Sequence, residues 1–186
     1  MKFYAPELSN PGVALPPLKQ RRSPNFSSRH GSPVSLIVLH DTEGGYNGSI
    51  EWLCNRAANA SAHVVLREDG LEATQLVPWG QKAWACVSFN SVSDNIEMAG
   101  FARRYYGLPQ LQRAARIVAF RLQKRGLPPK WARGGSGKGF CRHYDLGAAG
   151  GGHTDPTTST VKWLAFCALV KFEYRRGRFR QNWGVD

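Results

Sequence analysis

The chain has 186 residues, 42% of them apolar, with six tryptophans. That suits one folded domain with a single core and excludes a disordered polymer. Twenty-five Lys and Arg stand against 13 Asp and Glu, a net charge of +12, which predicts attraction to polyanions such as nucleic acid, anionic lipid or acidic wall polymers without choosing among them. No apolar run approaches the roughly 20 residues of a membrane helix.

Residues 1–33 read as an irregular leader, because Pro6, Pro11, Pro16, Pro17, Pro24 and Pro33 obstruct helix and central strand alike. The basic cluster Lys19-Gln20-Arg21-Arg22 lies within it. Val34-Ser35-Leu36-Ile37-Val38-Leu39-His40 is a nearly continuous β-branched and apolar run, the pattern of a strand buried on both faces. It breaks at Asp41-Thr42-Glu43-Gly44-Gly45. Ser49 is placed to cap a helix over Ile50–Asn59. Ala62–Arg67 and Leu71–Val77 flank Glu68-Asp69-Gly70, a strong hairpin signal. Ser93–Met98 reads as another short strand. Pro109–Arg125 is an amphipathic helix with Leu111, Ala114, Ala115, Val118 and Leu122 on its apolar stripe and Gly126 as its stop. Leu127–Phe140, rich in Gly and Pro, reads as a loop. Thr158–Arg175 reads as a last helix, with Trp163, Phe166, Val170 and Tyr174 at helical spacing. Strands alternating with helices predict an α/β fold, a central mixed β-sheet flanked by helices, with one folded domain over 34–176 and a basic tail over 177–186.

The chemistry concentrates in two places. His40 ends the most strand-like segment, where α/β proteins carry functional groups. His143 and His153 bracket a glycine-dense run, Gly147-Ala148-Ala149-Gly150-Gly151-Gly152, followed by Thr154-Asp155-Pro156. Catalytic zinc takes three protein ligands from His, Cys and carboxylate. His40, His143 and one of His153 or Asp155 meet that count. Cys54, Cys86, Cys141 and Cys167 form no C-x-x-C pair and are expected as reduced, mostly buried thiols, with Cys141 a lesser candidate for a metal role.

The order of these motifs resembles one family. Ile37-Val38-Leu39-His40, Ser61-Ala62-His63-Val64-Val65-Leu66, Ala83-Trp84-Ala85-Cys86, Asn90 to Glu97, His143-Tyr144-Asp145 and His153-Thr154-Asp155-Pro156 are similar to the type 2 N-acetylmuramoyl-L-alanine amidases, which include phage endolysins and peptidoglycan-recognition proteins. The resemblance spans Val34 to Phe172, and the run Gly150-Gly151-Gly152-His153-Thr154-Asp155-Pro156 with the basic composition looks closest to endolysins of actinobacterial phages. It implies a zinc (Zn2+) hydrolase that cuts the amide between N-acetylmuramic acid and L-alanine of peptidoglycan.

By the same resemblance the zinc site lies at the strand ends, with His40, His143 and Asp155 as ligands. Glu97 is then the general base, and His153 stands where relatives carry a lysine that stabilises the transition state. A rival assignment makes His153 the third ligand and Asp155 its hydrogen-bond partner. His63, Trp84 and Asn90 are expected to line the substrate groove. Asn95, Ala85 and Thr157 depart from the family's usual glycine, histidine and glycine. With no secretory signal after Met1-Lys2-Phe3, release to the host wall is expected by phage lysis, with the enzyme a monomer whose basic tail adds weak attraction to anionic wall or membrane. A non-catalytic peptidoglycan-binding module and a basic nucleic-acid-binding protein are the alternatives; no nucleic-acid-binding motif supports the latter.

Overall fold

The structure is a computed structural model and describes residues 17–177. The expected basic tail, from Arg178 onward, lies outside the described residues, as does the leader before Pro17.

Eleven strands and α-helices are described, β1 Lys19–Gln20, β2 Phe26–Ser28, β3 Leu36–Asp41, α1 Tyr46–Leu53, β4 Val64–Leu66, β5 Ala73–Gln75, β6 Gln81–Ala83, β7 Ser93–Met98, α2 Leu108–Lys124, β8 Gly139–Arg142 and α3 Thr160–Arg176. Six strands form one mixed sheet in the order β1-β5-β4-β7-β3-β8, parallel except for the β4–β5 hairpin. β2 and β6 pair separately as an antiparallel ribbon.

β3 sits between β7 and β8, which is why its run is apolar throughout. Alternation sends Ile37 and Leu39 to one face, where α2 and α3 cover them together with Ile96, Met98, Val64 and Leu66. Leu36 and Val38 face the other way, onto Cys86, Cys141 and Leu146. His40 continues that second face past the end of the apolar packing. α1 covers the same side farther along, packing Tyr46 and Ile50 near Val65. Helices therefore flank both faces of the sheet.

The Asp69-Gly70 turn forms where expected. Gly70 has φ +72°, and a Cβ there would meet the Pro109 carbonyl oxygen at 2.5 Å. α2 ends one residue before the expected limit, and Gly126 adopts φ +64° beyond it.

Four expectations are corrected. The leader is not irregular throughout: β1 adds to the sheet edge beside β5, and β2 zips to β6. α1 begins at Tyr46 rather than Ile50 and ends at Leu53. The Ser49 hydroxyl bonds back to the Gly45 carbonyl within the helix instead of capping it, and Glu68 accepts the Tyr46 N–H from across the fold. The segment expected as a loop to Phe140 turns into β8 at Gly139, whose φ is +144° and where an added Cβ would lie 2.0 Å from the Lys130 carbonyl oxygen, so no side chain fits. α3 starts at Thr160, capped by the Ser159 hydroxyl, and runs to Arg176.

Candidate metal centre

The parallel register of β3 with β7 sets His40 opposite Glu97 and Val38 opposite Asn95. All four side chains share the face away from α2 and α3. β8 then delivers the chain to His143 at its exit. Arg142 and Asp145 fix that exit: Asp145 accepts from the Arg142 Nη2 at 2.7 Å, from the Arg142 backbone N–H at 2.9 Å and from Trp131 Nε1 at 2.9 Å. The return loop is pinned by two further bonds. Tyr144 N–H donates to the Asp155 carbonyl at 2.9 Å, and Asp155 Oδ2 accepts from the Asp41 N–H at 3.2 Å.

His40, His143 and Asp155 converge so that one donor atom from each lies within 4.8 Å of the others, and all three residues are buried. The hydrogen bonds fix which nitrogens face inward. His40 Nε2 donates to Asn95 Oδ1 at 3.0 Å, and His143 Nε2 donates to the Gly150 carbonyl at 2.8 Å. Asn95 is oriented in turn, because its Nδ2 donates to Ser93 Oγ at 3.1 Å. With both Nε2 atoms protonated, the two Nδ1 lone pairs point at each other across 3.0 Å. The Asp155 carboxylate lies 3.1 Å from His143 Nδ1 and 3.7 Å from His40 Nδ1. Three Lewis bases at this range repel unless a cation sits among them, and two ligands of a tetrahedral ion are about 3.3 Å apart. The donor set could hold a metal ion.

The electrostatics agree. Burial, reinforced by the neighbouring charge of His143, pushes the His40 pKa down to about 3, so the ring is neutral and free to ligate. Burial pulls Asp155 upward, but its bond to His143 and the charge of His40 hold its carboxyl below the ordinary value. Glu97 is different: burial, then Asp155 and Asp41, push its carboxyl well above the ordinary range. Its Oε2 is buried without a hydrogen-bond partner. An orphaned oxygen beside a metal-type donor set is where a polarised water or amide would find its acceptor.

These residues line a cleft of about 340 Å³, shared with Trp84, Trp52 and His153. Trp84 lines this cleft, its Nε1 tied to Ser27 Oγ at 3.0 Å. His153 stacks on His143 with ring centroids 4.2 Å apart and remains 59% exposed. It stands at the mouth, outside the buried three-residue cluster.

Two expected groove residues are elsewhere. His63 is fully buried, accepting from the Asn95 N–H through Nδ1 and contacting Arg29 and the Gln81 carbonyl through Nε2. Burial, partly offset by Asp94, lowers its pKa to about 4. It fixes the backbone of β7 rather than lining the cleft. Asn90 spends its Oδ1 on the Ala85 and Cys86 N–H groups, closing a turn behind Trp84. Cys141, on β8 beside Val38, packs in the core and is no part of the donor set. Asn95 and Trp52 carry parts of the site that the sequence did not single out. Asn95 read as a departure from a glycine, and nothing local to it marks a partner 55 residues away.

Beneath β7, Asp94 is fully buried and accepts from Arg29, Arg121 and Arg125 at 2.9–3.1 Å. Burial raises its pKa, but Arg121, His63 and Arg125 overcome that and hold it at about 2. The strand that carries Asn95 and Glu97 is thus anchored by charge on its opposite face.

A family model described as N-acetylmuramoyl-L-alanine amidase matches residues 30–158. A curated N-acetylmuramoyl-L-alanine amidase A from Achromobacter lyticus is 35% identical over 80 residues, 43% of this chain and 45% of the relative, so the match spans less than half of that protein's length. Among solved structures, the hydrolase AmiA of Staphylococcus aureus, in complex with its ligand, superposes with a TM-score of 0.69 at 20% identity, over 90% of this chain and 88% of that one. AmpD gives a TM-score of 0.61 at 25% identity, over 82% and 94%.

Proposed function

The chain belongs to the N-acetylmuramoyl-L-alanine amidase family, and from that premise we propose that it is a zinc-dependent peptidoglycan amidase, cutting between N-acetylmuramic acid and the L-alanine of the stem peptide. The observation that carries the reading is the convergence of His40, His143 and Asp155 with the unpartnered Glu97 oxygen in one cleft. Two imidazoles and a carboxylate suit zinc, which His40, His143 and Asp155 would hold. Zinc held there would supply a water of lowered pKa and a Lewis acid for the scissile carbonyl.

The chain's own groups do the rest. Asn95 and the Gly150 carbonyl keep the two imidazoles in the tautomer that turns Nδ1 inward. Glu97 takes the proton of the attacking water and returns it to the departing amine of L-alanine. A carboxyl held above its ordinary range suits a group that must both accept and release a proton. His153, exposed at the mouth and stacked on His143, donates to the oxygen on which negative charge develops. Trp84 and Trp52 offer aromatic faces to sugar or stem peptide.

The finer reading, a phage endolysin released to the host wall at lysis, rests on the run Gly150-Gly151-Gly152-His153-Thr154-Asp155-Pro156 and the charge of +12. Expression in the cytoplasm of a sensitive host should leave cells intact until the membrane is permeabilised; lysis that never follows permeabilisation would contradict it. The catalytic reading is tested by mass spectrometry of wall digested with the zinc-loaded protein. Free stem peptides beginning at L-alanine are expected. Binding to wall with no released peptide would make this a recognition module instead.

A further inference from the structure

α3 is apolar on two sides. Trp163, Phe166, Cys167 and Val170 are buried against the core. At 3.6 residues per turn, Val161, Leu164, Ala165, Ala168 and Phe172 fall together on the other side, within an arc of about 100°. Val161 is 79%, Leu164 51% and Phe172 56% exposed. Nothing in the proposed chemistry uses this stripe, and α3 lies beyond the stretch that the family model matches.

The edges of the stripe are cationic. Lys162 and Arg176 border one side and Lys171 the other, while Arg175 falls within the arc at its C-terminal end; all four are exposed. The helix has a single acidic residue, Glu173, which is buried and paired with Arg116 at 3.3 Å. Beside the first turn, the Lys162 ammonium sits 4.3 Å from the ring centre of Tyr105, itself 88% exposed and preceded by exposed Arg103 and Arg104. The Arg176 guanidinium lies 5.6 Å from the ring centre of Phe172.

We propose that this face of α3, with Tyr105 beside it, docks the protein on an anionic lipid bilayer. A stripe of aliphatic and aromatic side chains edged by long cations is the arrangement that lies in a membrane interface, where apolar groups enter the acyl boundary and Lys and Arg stems reach back to the headgroups. Each basic group near an anionic surface adds to the attraction. The other occupants fit less well. A second copy, paired face to face, would bring Lys162, Lys171, Arg175 and Arg176 against the same four cations. A soluble polyanion would match the charges and leave Val161, Leu164 and Phe172 in water.

The test is co-sedimentation of the full chain with phosphatidylglycerol or phosphatidylcholine vesicles in 0.15 M salt (about physiological ionic strength), which involves no peptidoglycan and so succeeds or fails independently of the amidase reading. Binding to phosphatidylglycerol vesicles and little to phosphatidylcholine is expected. The exposed pair Leu164→Ser and Phe172→Ser should weaken it about tenfold or more, as should Lys171→Gln with Arg175→Gln. Hydrolysis of a soluble muropeptide should be unchanged in both. The proposal is overturned by an absence of binding to phosphatidylglycerol vesicles, by equal binding of the Leu164→Ser/Phe172→Ser protein, or by a wild-type dimer that this pair of substitutions dissociates.

Discussion

Replacing Asn95 by leucine keeps a γ-branched side chain but removes the amide that accepts from His40 and donates to Ser93. Asn95 is fully buried, and its Oδ1 receives the His40 Nε2–H at 3.0 Å and the Cys86 thiol at 3.3 Å. In Asn95→Leu the His40 Nε2–H is left in an apolar site, at a cost of about 1–3 kcal/mol. Much of that cost is escaped if the ring turns or the proton moves to Nδ1, and either change removes the lone pair that faces Asp155 and His143. The affinity for zinc should therefore fall about 10- to 100-fold. In Asn95→Asp the acceptor is retained, and affinity should stay within a few-fold of wild type. Chelator competition at neutral pH measures the affinity, and imidazole nitrogen shifts report the His40 tautomer. Urea unfolding of the metal-free proteins separates this effect from global destabilisation. If Asn95→Leu binds zinc as tightly as wild type with the His40 tautomer unchanged, the orienting role assigned to Asn95 is wrong.

Three further outcomes are expected. Glu97→Gln should keep its zinc yet lose about 10²- to 10⁴-fold in turnover of muropeptide; loss of metal along with activity would place Glu97 among the ligands instead. Asp94→Asn leaves Arg29, Arg121 and Arg125 facing a neutral group and should destabilise the fold by about 3 kcal/mol at neutral pH in urea titrations. Because the folded pKa of Asp94 is held at about 2, below its ordinary 3.8, the wild-type advantage should be complete above about pH 4 and vanish as pH falls through about 2; an advantage that persists below that point would refute the charge argument. Gly139→Ala, with φ at +144° and its Cβ on the Lys130 carbonyl, should cost on the order of 3 kcal/mol, and a melting temperature equal to wild type would show that β8 does not need its tight entry.

The sequence carried the sheet where the pattern was long and local. The apolar run into His40 could hardly be anything other than a central strand, and Asp69-Gly70 dictated its own turn. β8 was hidden because Gly139-Phe140-Cys141-Arg142 offers two apolar residues between a glycine and a cation, and only the pairing with β3 makes it a strand. β1 and β2 were masked by prolines that lie around them rather than within them. The start of α1 depended on Glu68, distant in sequence, satisfying an N–H that no nearby side chain could reach. At the site, His40, His143, Asp155 and Glu97 were legible as residue types in a familiar order. The support beneath them was not: Asn95, the Gly150 carbonyl and the Arg29–His63–Asp94 group act through contacts between segments far apart in the chain. The burial that makes His63 structural is a tertiary fact, which residue type could not supply; Asn90 is half-buried and held by local bonds from the Ala85 and Cys86 N–H groups.

Zinc titration into the metal-free protein, followed by isothermal calorimetry of wild type and of His40→Ala, His143→Ala and Asp155→Ala, examines the shared cluster most directly. One tight site per chain is expected in wild type, and each substitution should weaken it by at least about 100-fold, the cost of losing one of three ligands being larger than that of a supporting hydrogen bond. Tight binding that survives any two of these substitutions would mean that the buried imidazoles and carboxylate do not form a metal centre.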